Sequence, residues 1–335
     1  MNNIKKLVIV SDAWLPQVNG VVTTLSQLVA HLEKMAIDVE VIHPYDYPHF
    51  GLPTYREIPI VWRAKTLEQR ILDFDPDALH IATEGSLGWR ARQLAIKHQL
   101  PFTTAYHTKY PEYVRKRFPI PEDWTYRLLA KFHYPSERTF VPAQAMLTEL
   151  IAKGFNNLIM MSRGVDRDIF NPSQAIDLPF PKPILLYVGR IAVEKNLDAF
   201  LQLPIAGSKL LIGDGPAKSS LQKHYTNAHF LGVKTGQELA QYYASADVMV
   251  FPSLTDTFGL VNIEAMACGT PVAAFPVTGP IDIITQGLNG ALSDDLEDAV
   301  EQALELEREY IAPSVAHYDW QDVAQQFLDN LAPIK

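Results

Sequence analysis

A single cysteine, Cys268, stands in 335 residues, which excludes an intramolecular disulfide and any cysteine-based metal cluster. Such scarcity suits a reducing cytoplasm. Long apolar runs are also missing. Leu7-Val8-Ile9-Val10 is too short for a signal peptide or a membrane span, and no later stretch approaches the length of one. The expected location is therefore cytoplasmic, at most peripheral on the inner face of the membrane. The 10 histidines show no metal-ligand spacing, so neither metal nor cofactor is expected. No G-x-G-x-x-G follows Val10 or Val188, which argues against a nicotinamide-dependent oxidoreductase. No nucleic-acid recognition motif is visible, and nucleic acid is not an expected partner.

What remains is a globular composition, 47% hydrophobic and 20% charged, in a chain long enough for two domains. The net charge of −9 is unevenly spread. Residues 1–180 carry 20 basic and 19 acidic side chains, residues 181–335 carry 9 and 19, and residues 90–140 carry 10 and 4. Ordinary surface charge explains this about as well as an anionic partner does.

Short apolar runs alternate with helical segments. Leu7–Val10, Val39–Ile42, Ala78–Ile81 and Phe102–Ala105 read as buried strands near helices at 21–35, 86–98 and 121–133. Further strands are expected at Ile184–Val188, Lys209–Ile212, His229–Leu231, Val248–Phe251 and Val272–Phe275. Helices at about 195–203, 216–224, 236–244 and 259–268 separate them, and Trp320–Leu331 reads as a closing amphipathic helix. This is an α/β pattern of two Rossmann-like parallel sheets. Asn171-Pro172 and Pro179, Pro181 and Pro183 mark the boundary. The expected domains are 1–170, completed by 318–335, and 171–317.

In such sheets ligands bind beyond the carboxyl ends of strands, so the residues there matter most. Asn19-Gly20 opens the first helix and could expose amides to a phosphate or a sugar, or simply form a turn. Arg190 and Lys195 follow Ile184–Val188, where two cations could converge on a pyrophosphate, or could be ordinary surface charges. Gly213-Asp214-Gly215-Pro216 is a tight turn into a helix. The most informative block is Ser253–Val272. Amides of Phe258, Gly259, Leu260 and Val261 at a helix start would point at a phosphate, while Asp256 and Glu264 are suited to vicinal hydroxyls. His107, after Phe102–Ala105, could hold hydroxyls or support developing charge, though a lone histidine is more often structural. Asp73, Asp75 and Asp77 precede a strand and read as a helix-ending turn, not a metal site.

Val188-Gly189-Arg190, Glu194-Lys195-Asn196, Gly213–Pro216 and Asp256–Val272 together resemble family 4 of the retaining glycosyltransferases, along essentially the whole chain. The resemblance implies the GT-B fold, with two domains facing across a cleft and the last helix crossing back to the first domain. In that family the carboxylate pair is usually Glu and Glu. Here the first is Asp256, within Thr255–Gly259, as in a subset with mannosyl- and glycolipid-forming members. The resemblance implies that Glu264 holds ribose, that Asp256 and the Phe258–Val261 amides hold the donor sugar, and that Arg190 and Lys195 bind the diphosphate. His107 would stand beside the reacting sugar, with Gly20 letting the first loop approach. Ser162–Asp166 looks like the family's interdomain segment, where Asn commonly replaces Arg163. The implied donor is a nucleotide-sugar, a substrate and not a cofactor.

The acceptor is expected to be a lipid such as diacylglycerol, with a glycan as the alternative. Arg115, Lys116, Arg117, Arg127 and Lys131 interleave with aromatics such as Trp124, a mixture that could settle on an anionic leaflet. Rival readings are a GDP-mannose-dependent mannosyltransferase acting in glycan synthesis, a nucleotide-sugar epimerase on the same fold, and a non-catalytic binding protein.

Overall fold

The computed structural model describes residues 4–17, 19–52, 55–117 and 120–335, without the side chains of 55–57, 113, 116 and 117. Apolar runs covered on both faces pair as parallel strands. In chain order the strands of the first half are Lys6–Val10 (β1), Asp38–Ile42 (β2), a separate antiparallel hairpin of His49–Leu52 (β3) and Tyr55–Val61 (β4), Ala78–Ile81 (β5), Thr103–Ala105 (β6), Arg138–Val141 (β7) and Leu158–Met160 (β8). One parallel sheet has the order β2-β1-β5-β6-β7-β8. The second half contributes Ile184–Val188 (β9), Ser208–Ile212 (β10), His229–Gly232 (β11), Val248–Phe251 (β12), Val272–Ala274 (β13) and Gly290–Leu292 (β14), in the order β11-β10-β9-β12-β13-β14.

The chain divides into two compact units, Met1–Arg163 with Trp320–Lys335, and Gly164–Asp319. The proline-rich stretch places the boundary at 170/171, but the division falls earlier. Segment 164–170 is tied to the second unit, where Val165 N donates to Tyr318 O at 3.1 Å and Arg167 Nη2 to Ala312 O at 2.9 Å.

Helix Trp320–Asp329 completes the first unit's core. Trp320, Val323, Ala324 and Phe327 recur at helical spacing on its buried face and pack with Leu7, Ile9, Leu25 and Leu28. Truncating a core phenylalanine such as Phe327 to alanine costs about 3–5 kcal/mol. Among the described residues no helix is long and apolar enough to cross a membrane.

Candidate functional site

Chain order fixes where each sheet opens a crevice. In the second unit β9 leads to β10 on one side, while β12 lies on the other, so the strand order reverses between β9 and β12. Loops leaving the two strands there diverge, and ligands of open α/β sheets bind in that gap. Gly189 and Arg190 leave β9, and Ser253–Gly259 leave β12. Tyr187 Oη donates to the Arg190 carbonyl at 2.8 Å, and Ile191 N donates to Asp214 O at 2.9 Å, locking the Arg190 loop to the Gly213–Pro216 turn. Instead of one helix over 195–203, a short turn at Val193–Lys195 precedes helix Leu197–Leu201, with Asn196 left-handed at φ 53° between them.

Lys195 Nζ meets Asp256 Oδ1 at 2.5 Å, with both side chains 17% exposed. The cation and the carboxylate expected to serve different parts of a donor are therefore in direct contact. This pairing uses one of the ammonium's three donors. Ser253 Oγ, Thr255 Oγ1, Asp256 Oδ2 and both amide atoms of Asn262 are buried without a hydrogen-bond partner among the described residues. Such atoms are uncommon in folded chains and call for an explanation such as a functional site.

Helix Leu260–Ala267 starts from Gly259, left-handed at φ 91°, and no side chain caps it. A helix start of this kind carries unpaired amides and the positive end of the helix dipole. On this helix Glu264 accepts from Tyr243 Oη at 3.1 Å. It is reached by solvent yet crowded by protein, and burial pushes its carboxyl up to about 7 against the pull of the Tyr243 hydrogen bond. Arg190, Lys195, Asp256, Phe258–Val261 and Glu264 all belong to this one unit, on loops and a helix that leave β9 and β12.

The first unit has the corresponding reversal between β1 and β5, filled from within. Buried Asp12, just after β1, accepts from Leu87 N at 2.7 Å, Gly88 N at 3.0 Å, Thr83 Oγ1 at 3.1 Å and Ser86 Oγ at 3.2 Å. Burial raises its carboxyl, and these donors pull it back. A Cβ on Gly88 would strike the Thr83 carbonyl, so only glycine fits there. Sequence reading missed this cluster, although Asp12 after β1 and Gly85-Ser86 after β5 were its visible signs. Asn19 proves to be a helix cap. Its Oδ1 accepts from Val21 N and Val22 N, both at 3.0 Å, so these amides are engaged where exposed ones had been expected. Gly20 is the first helical residue.

His107, two residues past β6, receives a hydrogen bond at its Nδ1 from Arg163 Nη2 at 3.0 Å. Sequence reading had no pattern linking these two residues.

Of the expected membrane-facing residues, Trp124, Arg127 and Lys131 lie on one exposed face of helix Glu122–His133, while Arg115 belongs to helix Tyr110–Arg117. Trp124 and Leu128 are 68% and 53% exposed, and Arg127 and Lys131 share that face. The opposite face buries Tyr126, Leu129 and Phe132, and Tyr126 Oη donates to Glu112 Oε1 at 2.6 Å. Arg115 pairs with Glu122 at 3.5 Å, whereas the side chains of Lys116 and Arg117 lie outside the described residues. Asp75 caps helix Leu67–Phe74 at φ 53°, and Asp77 accepts from the amides of Lys5 and Lys6. Among the described residues no three His, Cys, Asp or Glu side chains gather as a metal site.

Comparison with known proteins bears on family and fold. A model described as Glycosyltransferase Family 4 matches residues 18–169, and one described as Glycosyl transferases group 1 matches 182–308. The chain is 30% identical over 322 residues to a GDP-mannose-dependent alpha-mannosyltransferase of Mycolicibacterium smegmatis, covering 86% of this chain and 84% of that protein. The chain belongs to glycosyltransferase family 4. This family 4 enzyme is also similar to the alpha-monoglucosyldiacylglycerol synthase of Streptococcus pneumoniae, 26% identical over 88% of this chain and 77% of that one. Its fold is GT-B. Anabaena Alr3699/HepE, solved with UDP and glucose, matches 98% of this chain and 99% of its own with a TM-score of 0.70 at 18% identity. It is a nucleotide-sugar glycosyltransferase.

Proposed function

We propose that this glycosyltransferase moves a hexosyl or uronosyl unit from a UDP- or GDP-linked sugar to a membrane lipid such as diacylglycerol, with retention of anomeric configuration. The observation that carries the donor half is the β9/β12 crevice, where Arg190, Lys195 and an uncapped helix start offer positive charge beside two carboxylates. Arg190 and Lys195 bind the diphosphate, Glu264 accepts from the ribose hydroxyls, and Asp256 with the Phe258–Val261 amides holds the sugar. His107 stands beside the reacting sugar, with Gly20 at the approach.

Retention without a protein nucleophile requires departure and attack on one face. The bond from C1 to the phosphate oxygen breaks as the bond to the acceptor oxygen forms, and the acceptor's proton passes to the departing phosphate. Stabilising that phosphate is the main electrostatic contribution, and it falls to Arg190 and Lys195.

The lipid half rests on the Trp124–Lys131 face, whose cations each add about 1 kcal/mol near an anionic leaflet. The likeness to a glucosyldiacylglycerol synthase supports it. A second reading, a GDP-mannose-dependent mannosyltransferase, is supported by the Mycolicibacterium relative.

Incubation with UDP-glucose, UDP-galactose, UDP-glucuronate or GDP-mannose and diacylglycerol in anionic vesicles tests donor and acceptor together. A glycosylated lipid by mass spectrometry is the expected product. Conversion of the donor sugar without acceptor would instead identify an epimerase. Co-sedimentation should favour anionic over neutral vesicles, and equal pelleting with both removes the membrane argument.

A further inference from the structure

The second buried cation of the first unit lies outside every role given so far. Arg163 is 4% exposed, and among the described residues no carboxylate pairs with it. Its Nη1 donates to Met161 O at 2.9 Å and Ser162 O at 3.1 Å, which fixes the plane of the guanidinium. Nη2 then reaches His107 Nδ1 at 3.0 Å. A buried cation without a counter-ion is costly, so its retention suggests a task.

We propose that Arg163 is a positioning residue that holds His107 as the neutral Nε2–H tautomer, making the ring a fixed hydrogen-bond donor toward the sugar. The donor role rests on the reading above, that His107 faces the reacting sugar. The tautomer itself follows from chemistry on the page. A guanidinium has five donors and no acceptor, so Nδ1 must be the acceptor and cannot carry a proton. The proton of the neutral ring is then on Nε2.

Charge around the ring agrees. Burial first, then the Arg163 charge, then His80 and His133, hold His107 well below the usual histidine range. Burial brings Arg163 down to about 10, which leaves it charged at neutral pH. His80 on β5 pairs with Thr103 Oγ1 at 2.9 Å and is pushed by burial down to about 3, hence neutral. His133 bonds Glu84 Oε1 at 3.1 Å, and Lys109 is paired with Glu149 at 2.7 Å. A ring fixed in this way cannot take the acceptor's proton at Nε2. That is consistent with the proton leaving on the phosphate.

Histidine-selective 15N spectra of the full chain test the proposal, with H107Q assigning the resonance. The wild-type ring should show bare Nδ1 and protonated Nε2 from pH 5.5 to 8 without titrating. In R163M the ring stays buried but should lose its tautomer bias, with a proton found on Nδ1 as well as Nε2, while R163K, which keeps charge and donor, should resemble wild type. Turnover of R163M should fall about twofold as the Nε2–H fraction drops, and R163K should restore it. A wild-type His107 protonated on Nδ1, or charged at neutral pH, overturns the proposal without any variant having to fold. An unchanged ring in folded R163M also overturns it. Should the spectra behave as stated while H107Q keeps full turnover, Arg163 does position the ring, and what fails is the placement of His107 beside the sugar.

Discussion

At the β1/β5 crevice the protein supplies its own anion, whereas at the β9/β12 crevice it supplies cations. Asp12 occupies the start of helix Ser86–Lys97, and Asn19 caps the neighbouring helix Gly20–Lys34. In the second unit helix Leu260–Ala267 has no side-chain cap, and Arg190 and Lys195 stand on the adjoining loops. Both sheets reverse strand order at such a gap, though their strand orders are not the same, and they differ in which end of the electrostatics the chain fills for itself. A helix start already satisfied by a carboxylate is architecture. One left open beside cations can receive a diphosphate from outside.

Breaking the second crevice should have the largest effect. Arg190→Ala should lower turnover by roughly two or more orders of magnitude in a folded protein, read by steady-state kinetics beside a thermal melt. Near-normal turnover would remove Arg190 from the phosphate site. The first crevice should respond in stability instead. Asp12→Ala orphans the buried Leu87 and Gly88 amides and should cost about 3 kcal/mol in denaturant titration. A loss of turnover in D12A with stability intact would reverse the contrast drawn here.

Glu264→Gln should weaken nucleotide binding about tenfold, since a hydrogen bond to a charged acceptor is lost. Because the Glu264 carboxyl sits at about 7, ribose hydroxyls that favour its ionised form should expel up to about half a proton on binding at pH 7. Calorimetry in buffers of different ionisation enthalpy reads this, and E264Q should show none. The sign for stability is the opposite of a salt-bridged acid. The folded chain holds this proton where the unfolded chain has lost it, so stability falls as pH rises from 4.5 to about 7. Asn19→Ala is the smallest change, about 1 kcal/mol from a lost cap.

Legibility followed the same division. Strands such as Ile184–Val188 and Val248–Phe251 are uniformly buried, and their apolar runs announce them. Leu158–Met160, a sheet edge only partly buried, and Gly290–Leu292, with a glycine, are strands of three residues, too short to stand out. The Asp256–Glu264 block was readable because loop, helix and carboxylates are contiguous in the chain. Asp12 with Leu87, and His107 with Arg163, join residues 75 and 56 positions apart. No local pattern encodes such pairs. They exist only once the sheet brings its loops together.

Calorimetric titration of UDP and GDP into wild type, N19A and an R190A/K195A double variant tests most directly which crevice holds the diphosphate. The double variant should bind whichever nucleotide the wild type prefers about a hundredfold more weakly, with N19A close to wild type. Full affinity in the double variant, or its loss in N19A, would contradict the assignment.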